Sequence, residues 1–176
     1  YDYFNNEKSI YYIKDFIATF KFTVSGVNTY MKMWMNGNIG RKIYLAEGPK
    51  AGGFDFFPSS IRNLTVPVVV VKQTGEAWSR PFIGVFESYS SSEPESVKTI
   101  SSFHPIGSSS DFSGLEVTSK NLNKEYIFSS VNENETVSYR NIKFQGSYGV
   151  VSENQNEFKY LFLGKGLLIS KGDYSI

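Results

Sequence analysis

The 176-residue chain has no cysteine, one histidine, two tryptophans and six prolines. Without cysteine there is no disulfide, no thiolate zinc site and no cysteine nucleophile. With a single histidine as well, a transition-metal site of the usual nitrogen and sulfur kind is excluded. No Asp-rich loop offers itself to calcium, so neither metal nor cofactor is expected. Charge of one sign is also missing: 18 Lys and Arg face 17 Asp and Glu, a formal net charge of +1. No lopsided field exists to attract a polyanion, which argues against a nucleic-acid partner. No apolar run reaches the roughly 18–20 residues of a membrane helix, so no membrane insertion is expected. No signal peptide is seen, and the chain opens on Tyr1 rather than Met, so a processed or excised piece of a longer protein is expected.

What is abundant is aromatic: fifteen Phe and twelve Tyr. With many Ser, Asn, Thr and Val beside them, this is β composition. A chain of this length fits one domain or two small subdomains. It can bury roughly two-thirds of its unfolded surface, enough to fold without staples. Residues 1–15 read as a lead-in arm or strand. In FIATFKFTV, Phe16, Ala18, Phe20, Phe22 and Val24 share one face and Ile17, Thr19, Lys21 and Thr23 the other, a strand by its period of two. SGVN turns the chain into TYMKMWM, and NGNIG turns it into RKIYLAE, so the pattern predicts a three-stranded antiparallel meander. A loop follows, with a short helical turn around SSIRNL. VPVVVVKQ is apolar on both faces and is expected deep in a sheet, with Pro67 at its start. SSSEPES, near residues 90–95, is the expected seam. Beyond it come eight short strands, VKTISSF, GLEVTS, KEYIFSS, ETVSYR, IKFQG, YGVVSE, FKYLFLGK and LLISKG, punctuated by Asn, Gly and Ser. The fold class expected is all-β, an antiparallel β-sandwich over 16–176.

The stretch VPVVVVKQTGEAWSRPFIGVFESY resembles the C-terminal β-sheet region of heparinase II/III-like polysaccharide lyases. The family's turn and strand pattern falls on Gly75, Trp78, Arg80, Pro81, Phe82, Val85, Phe86 and Glu87. MKMWMNGNIGRKIYLAEGP is similar to its strand–turn–strand, and KEYIFSS, IKFQGSYGVV and LFLGKGLLI to its closing meander. Ser88 departs from the family pattern, which commonly has Pro there. The resemblance implies β-elimination of a uronate-containing polysaccharide by a longer parent, with an N-terminal α-helical toroid as partner domain. It implies a secreted or periplasmic setting and an acidic polysaccharide or oligosaccharide as ligand. Since the toroid supplies most of the chemistry, no catalytic residue is assigned here, and the chain alone is expected to be inactive. A stand-alone carbohydrate-binding sandwich and a non-glycan interaction domain are the alternatives.

Three places invite a closer look. His104 is the single histidine of the chain, but it precedes Pro105 among serines, which reads as an exposed loop rather than a base. Arg80 can pair bidentately with a carboxylate; the competing reading has Arg80 and Glu87 knit the strand entrance while Trp78 covers the sheet edge. Tyr30, Lys32 and Trp34, with Arg41, Lys42 and Tyr44 on the next strand, would be cross-strand neighbours and form an aromatic and cationic patch for an acidic sugar. The bland alternative is that this face packs under another layer. Asn63 and Asn134 match glycosylation acceptor motifs, of the kind that chance supplies in an Asn- and Ser-rich chain.

Overall fold

The computed structural model describes residues 4–49, 58, 60, 64–75, 80–109 and 111–176. Trp78, Asn63 and most of the SSIRNL stretch lie outside the described residues. The strands are β1 (Asn5–Tyr11), β2 (Phe16–Val24), β3 (Val27–Met35), β4 (Arg41–Pro49), β5 (Thr65–Gln73), β6 (Gly84–Ser90) and β7 (Val97–Phe103). They continue as β8 (Ser113–Ser119), β9 (Asn123–Ser129), β10 (Val137–Tyr139), β11 (Ile142–Asn154), β12 (Glu157–Lys171) and β13 (Tyr174–Ser175). Every pairing among them is antiparallel. The fold is all-β, consistent with a β-sandwich.

The chain divides into two compact units, one of Tyr1–Asp15 with Gly37–Ala77 and one of Phe16–Asn36 with Trp78–Ile176. The stretch 90–95 lies inside the second. The first unit holds a three-stranded sheet in the order β1-β4-β5. The second holds a three-stranded sheet, β2-β3-β6, and a seven-stranded one, β13-β12-β11-β9-β8-β7, with β10 paired to β11.

This corrects the expected meander. β2 and β3 do form a hairpin, closed by Ser25 and Gly26 at φ 50° and 81°, the positive-φ pair that suits the twist of a two-residue hairpin turn. But β3 then pairs with β6, and β4 pairs with β1 and β5 in the other unit. The NGNIG turn changes sheets rather than returning to the same one. Sequence periodicity sets which residues share a strand face, while the choice of partner strand is made by non-local packing.

β5 is corrected too. Among the described residues it is the outer strand of its sheet, with Val70 41% exposed. Pro67 sits within its ladder, opposite Glu47, where an edge strand tolerates a missing N–H.

In the large sheet, four expected strands merge into two. IKFQG and YGVVSE are one strand, β11, and FKYLFLGK and LLISKG are one strand, β12. The glycines between them mark bulges, not turns: the register shifts around Gly146 and Tyr148. A Cβ on Gly146 would lie 2.4 Å from the Lys165 carbonyl oxygen, and one on Gly166 2.4 Å from that of Gln145. Only glycine permits that approach, and the bulge bends both strands. The core lies here, with Phe112, Tyr126, Phe128, Val137, Ile142, Phe144, Val151 and Ile169 each at most 2% exposed. Phe103 stacks on Tyr139 at 3.8 Å, and Phe128 meets Phe144 at 5.2 Å. Truncating any one of these phenylalanines to alanine costs about 3–5 kcal/mol.

Candidate functional site

In the β1-β4-β5 sheet, directly opposed residues share a face. One row is Tyr11, Lys42 and Lys72; the next is Ser9, Tyr44 and Val70. Opposed Cβ atoms lie about 5 Å apart, and like charges there are unfavourable. Lys42 and Lys72 are such a pair, and among the described residues neither ammonium has an acidic partner. Tyrosine rings hold them instead: the Lys42 Nζ lies 4.7 Å from the Tyr44 ring centre and 5.3 Å from that of Tyr11, and Lys72 Nζ lies 6.0 Å from Tyr44. Ring faces attract cations by about 0.5–1 kcal/mol at exposed sites, less than an ion pair in a dry setting. On this face opens a cleft of about 360 Å³, lined by Phe4, Tyr44, Ala46, Val70, Glu7 and Lys72. Its lining is mostly apolar and includes two charges, Glu7 and Lys72, the usual make-up of a small-molecule site.

The other residues proposed for a sugar-facing patch do not join it. Arg41 points to the opposite face of β4 and is 1% exposed. Its Nε donates to Gln73 Oε1 at 3.2 Å, and the Gln73 amide donates to the carbonyls of Ile39 and Thr74. Burial lowers the guanidinium pKa, with Asp15 acting against that. Arg41 pins the start of its strand. Trp34 is buried at 5% exposure, so it offers no ring face to a ligand. Lys32 is ion-paired with Glu95 and lies 5.6 Å from the Tyr89 ring. The patch failed because β3 and β4 are not neighbours. Lys42 and Tyr44 lie on one face of β4, beside Lys72, Tyr11 and Glu7, which the sequence reading did not single out. The period of two along RKIYLAE and VPVVVVKQ was the available signal for Lys72, and the missing piece was register; no such signal marked Tyr11 and Glu7.

The motif segment is a strand entrance. Asn36, 6% exposed, clips it: its side-chain carbonyl accepts from Ile83 N at 3.0 Å and its amide donates to Pro81 O at 3.4 Å. Arg80 is half-buried, whereas Phe82 and Phe86 are 48% and 64% exposed. Glu87 Oε1 accepts from the backbone of Ser96 and Val97 and from the Ser96 hydroxyl. Desolvation pushes its carboxyl up, but these bonds and the Lys32 charge prevail and hold it below its ordinary value. Glu87 therefore fastens the turn into β7. His104 is exposed, its ring edge-on to Phe112 at 5.9 Å.

One cluster was not foreseen at all. Glu153, 4% exposed, accepts from Tyr126 Oη at 2.8 Å and pairs with Lys171 Nζ at 2.6 Å. Lys171 and Arg140 stand 5.0 and 5.8 Å from the Tyr126 ring centre. Glu116 takes bonds from Arg140 and from Tyr139 Oη, at 3.2 and 3.3 Å. Burial would raise the Glu153 carboxyl, yet Lys171 and Tyr126 bring it below its ordinary value. Burial and Glu153 push the Tyr126 phenol well up. Such a tyrosine holds its proton and is no base. The members come from β8, β9, β10, β11, β12 and the β10–β11 turn, so no local motif announces them.

Comparison with known proteins shows two similarities. Residues 100–176, which run from within β7 to the last strand, match the family model of the endo-acting ulvan lyase C-terminal domain. The chain is also similar to an endo-acting ulvan lyase of Formosa agariphila, 29% identical over 188 residues, an alignment covering 99% of this chain. It takes in 21% of that protein, so the chain spans about a fifth of the length of the curated relative. Both matches support a C-terminal domain of a polysaccharide lyase; neither names the heparinase II/III-like family. No solved structure matches. The matched family segment carries the core sheet, and the Lys42–Lys72 face lies outside it.

Proposed function

We propose that this chain is the polysaccharide-contacting C-terminal domain of a longer endo-acting lyase whose substrate is an acidic polysaccharide of the ulvan kind. The observation that carries the contact is the unneutralised Lys42–Lys72 pair set on Tyr44 beside a mostly apolar cleft. Two opposed ammoniums repel until an anion lies between them. A carboxylate-bearing sugar supplies that anion, and its ring supplies apolar C–H surface for the apolar lining.

The domain is a binding part and not the reaction centre. β-Elimination needs a base for the proton next to the carboxylate and an acid for the leaving oxygen. Tyr126 is buried with its phenol pKa raised, the wrong direction for a base. We assign the catalytic groups to the rest of the parent; an α-helical toroid is one architecture that would hold them. A polymer of this kind does not cross a membrane, so the parent is placed outside the cytoplasm, secreted or periplasmic.

Calorimetric titration of the chain with ulvan oligosaccharides tests this. Lys42→Gln with Lys72→Gln should weaken binding about tenfold or more, equivalent to ~1.4 kcal/mol, and raised salt should weaken the wild type too. Affinity untouched by both changes would sink the assignment. The same oligosaccharides should yield no ultraviolet-absorbing unsaturated product with this chain alone.

A further inference from the structure

A second tyrosine pair lies in the other unit. Tyr30 on β3 and Tyr89 on β6 are directly opposed, their rings stacked at 5.0 Å and 12°. Cross-strand aromatic pairs steady a sheet by about 0.2–1 kcal/mol whether or not anything binds. Three observations go beyond that role. First, the pair borders an open cleft of about 490 Å³, formed with the turn at Gly26–Asn28 and with Ser90 and Ser91. Second, among the described residues neither phenol oxygen is hydrogen-bonded, whereas Tyr126, Tyr139 and Tyr160 each give theirs to a glutamate. Third, the row continues to Lys21, opposite Tyr30 on β2, which is exposed and has no acidic partner among the described residues. Lys32, one row along, is by contrast neutralised by Glu95.

We infer that Tyr30, Tyr89 and Lys21 form a second subsite for an acidic saccharide. The reading rests on the glycan assignment above for its ligand class, but on different residues in a different unit. The tyrosine rings and phenols meet a pyranose and its hydroxyls, as an apolar body with a polar tip does. The Lys21 ammonium takes a carboxylate on the same or the next sugar. Asn28 Oδ1 is already occupied by the Thr23 hydroxyl at 3.3 Å, which leaves the Asn28 amide as a donor to sugar oxygens. Two modest sites on one chain hold a polymer better than either alone, provided one chain of sugars spans both.

Amide NMR of the chain titrated with ulvan oligosaccharides separates the two sites. The inference expects shifts at Gly26, Asn28, Ser90 and Ser91. Lys21→Gln and the paired Tyr30→Phe and Tyr89→Phe changes should each weaken that local response several-fold while the shifts around Lys42 and Tyr44 persist. The phenylalanine variants keep the stack, so a loss of fold does not confuse the result. Shifts around Lys42 and Tyr44 alone, at saturation, overturn the second subsite and leave the first standing. Shifts at the hairpin cleft alone overturn the first and leave the second. No shift at either overturns both.

Discussion

Two lysine–tyrosine contacts of nearly the same length serve opposite ends in this chain. Lys171 lies 5.0 Å from the Tyr126 ring and Lys42 4.7 Å from the Tyr44 ring. Around Tyr126 the cation is matched by Glu153, the phenol donates to the same carboxylate, and solvent is shut out. Around Tyr44 a second lysine stands where an acid would complete the set, and the ring borders an open cleft. The first arrangement is closed and electrically complete, so it supports the core. The second is open, and neither of its two lysines is ion-paired among the described residues although Glu7 lines the same cleft, so it is suited to an anionic ligand. Contact type does not separate structure from function here; the charge balance and the exposure do.

If that contrast is right, the large sheet should be costly to disturb and the small sheet cheap. The largest loss is expected at Phe128, fully buried beside Phe103, Phe112 and Phe144: Phe128→Ala should lower the unfolding free energy by about 3–5 kcal/mol in chemical denaturation. Glu153→Gln comes next, at about 3 kcal/mol, because it leaves Lys171, only 12% exposed, without its counter-charge. That variant should also change the acid limb. The Glu153 carboxyl is lowered in the fold, so its contribution is whole above the unfolded value of about 4.3 and is lost as pH falls through the folded one. Melting temperatures measured across that window should fall less steeply in Glu153→Gln; an unchanged slope would detach the carboxylate from stability.

Smaller again is Asn36→Ala, about 2 kcal/mol, since it strips Pro81 and Ile83 of buried hydrogen-bond partners. The smallest effect has the opposite sign. Lys72→Gln removes a like-charge neighbour from Lys42 and should leave stability level or raise it by up to about 0.5 kcal/mol. A clear loss there, read from the same denaturation curves, would mean Lys72 is a structural lysine like Lys171, and the comparison would collapse.

Strand positions are largely legible in the sequence. FIATFKFTV is β2 in full, and its face of Phe16, Ala18 and Phe20 is the half-buried one. VKTISSF is β7 and VPVVVVKQ most of β5. Bulges were not legible, because a glycine needed for close backbone approach at Gly146 reads the same as one needed for a turn. Of the residues expected in a sugar-facing patch, Trp34 and Arg41 are buried, whereas Lys42 and Tyr44 are half-buried. Exposure depends on what lies over a face, and a single strand says nothing about that. The Glu153 cluster was invisible for the same reason: its side chains lie up to 55 residues apart, from Glu116 to Lys171.

The sequence by itself determined the all-β class, most strand positions, the absence of cysteine chemistry and which residues share a strand face, because these depend on composition and on a period of two. Tertiary structure decided which strands became neighbours. It sent β4 to β1 and β5 rather than to β3, setting Lys42 beside Lys72 and parting it from Trp34. Partner choice is settled by the burial of whole faces across long stretches of chain, and that free energy belongs to no single segment.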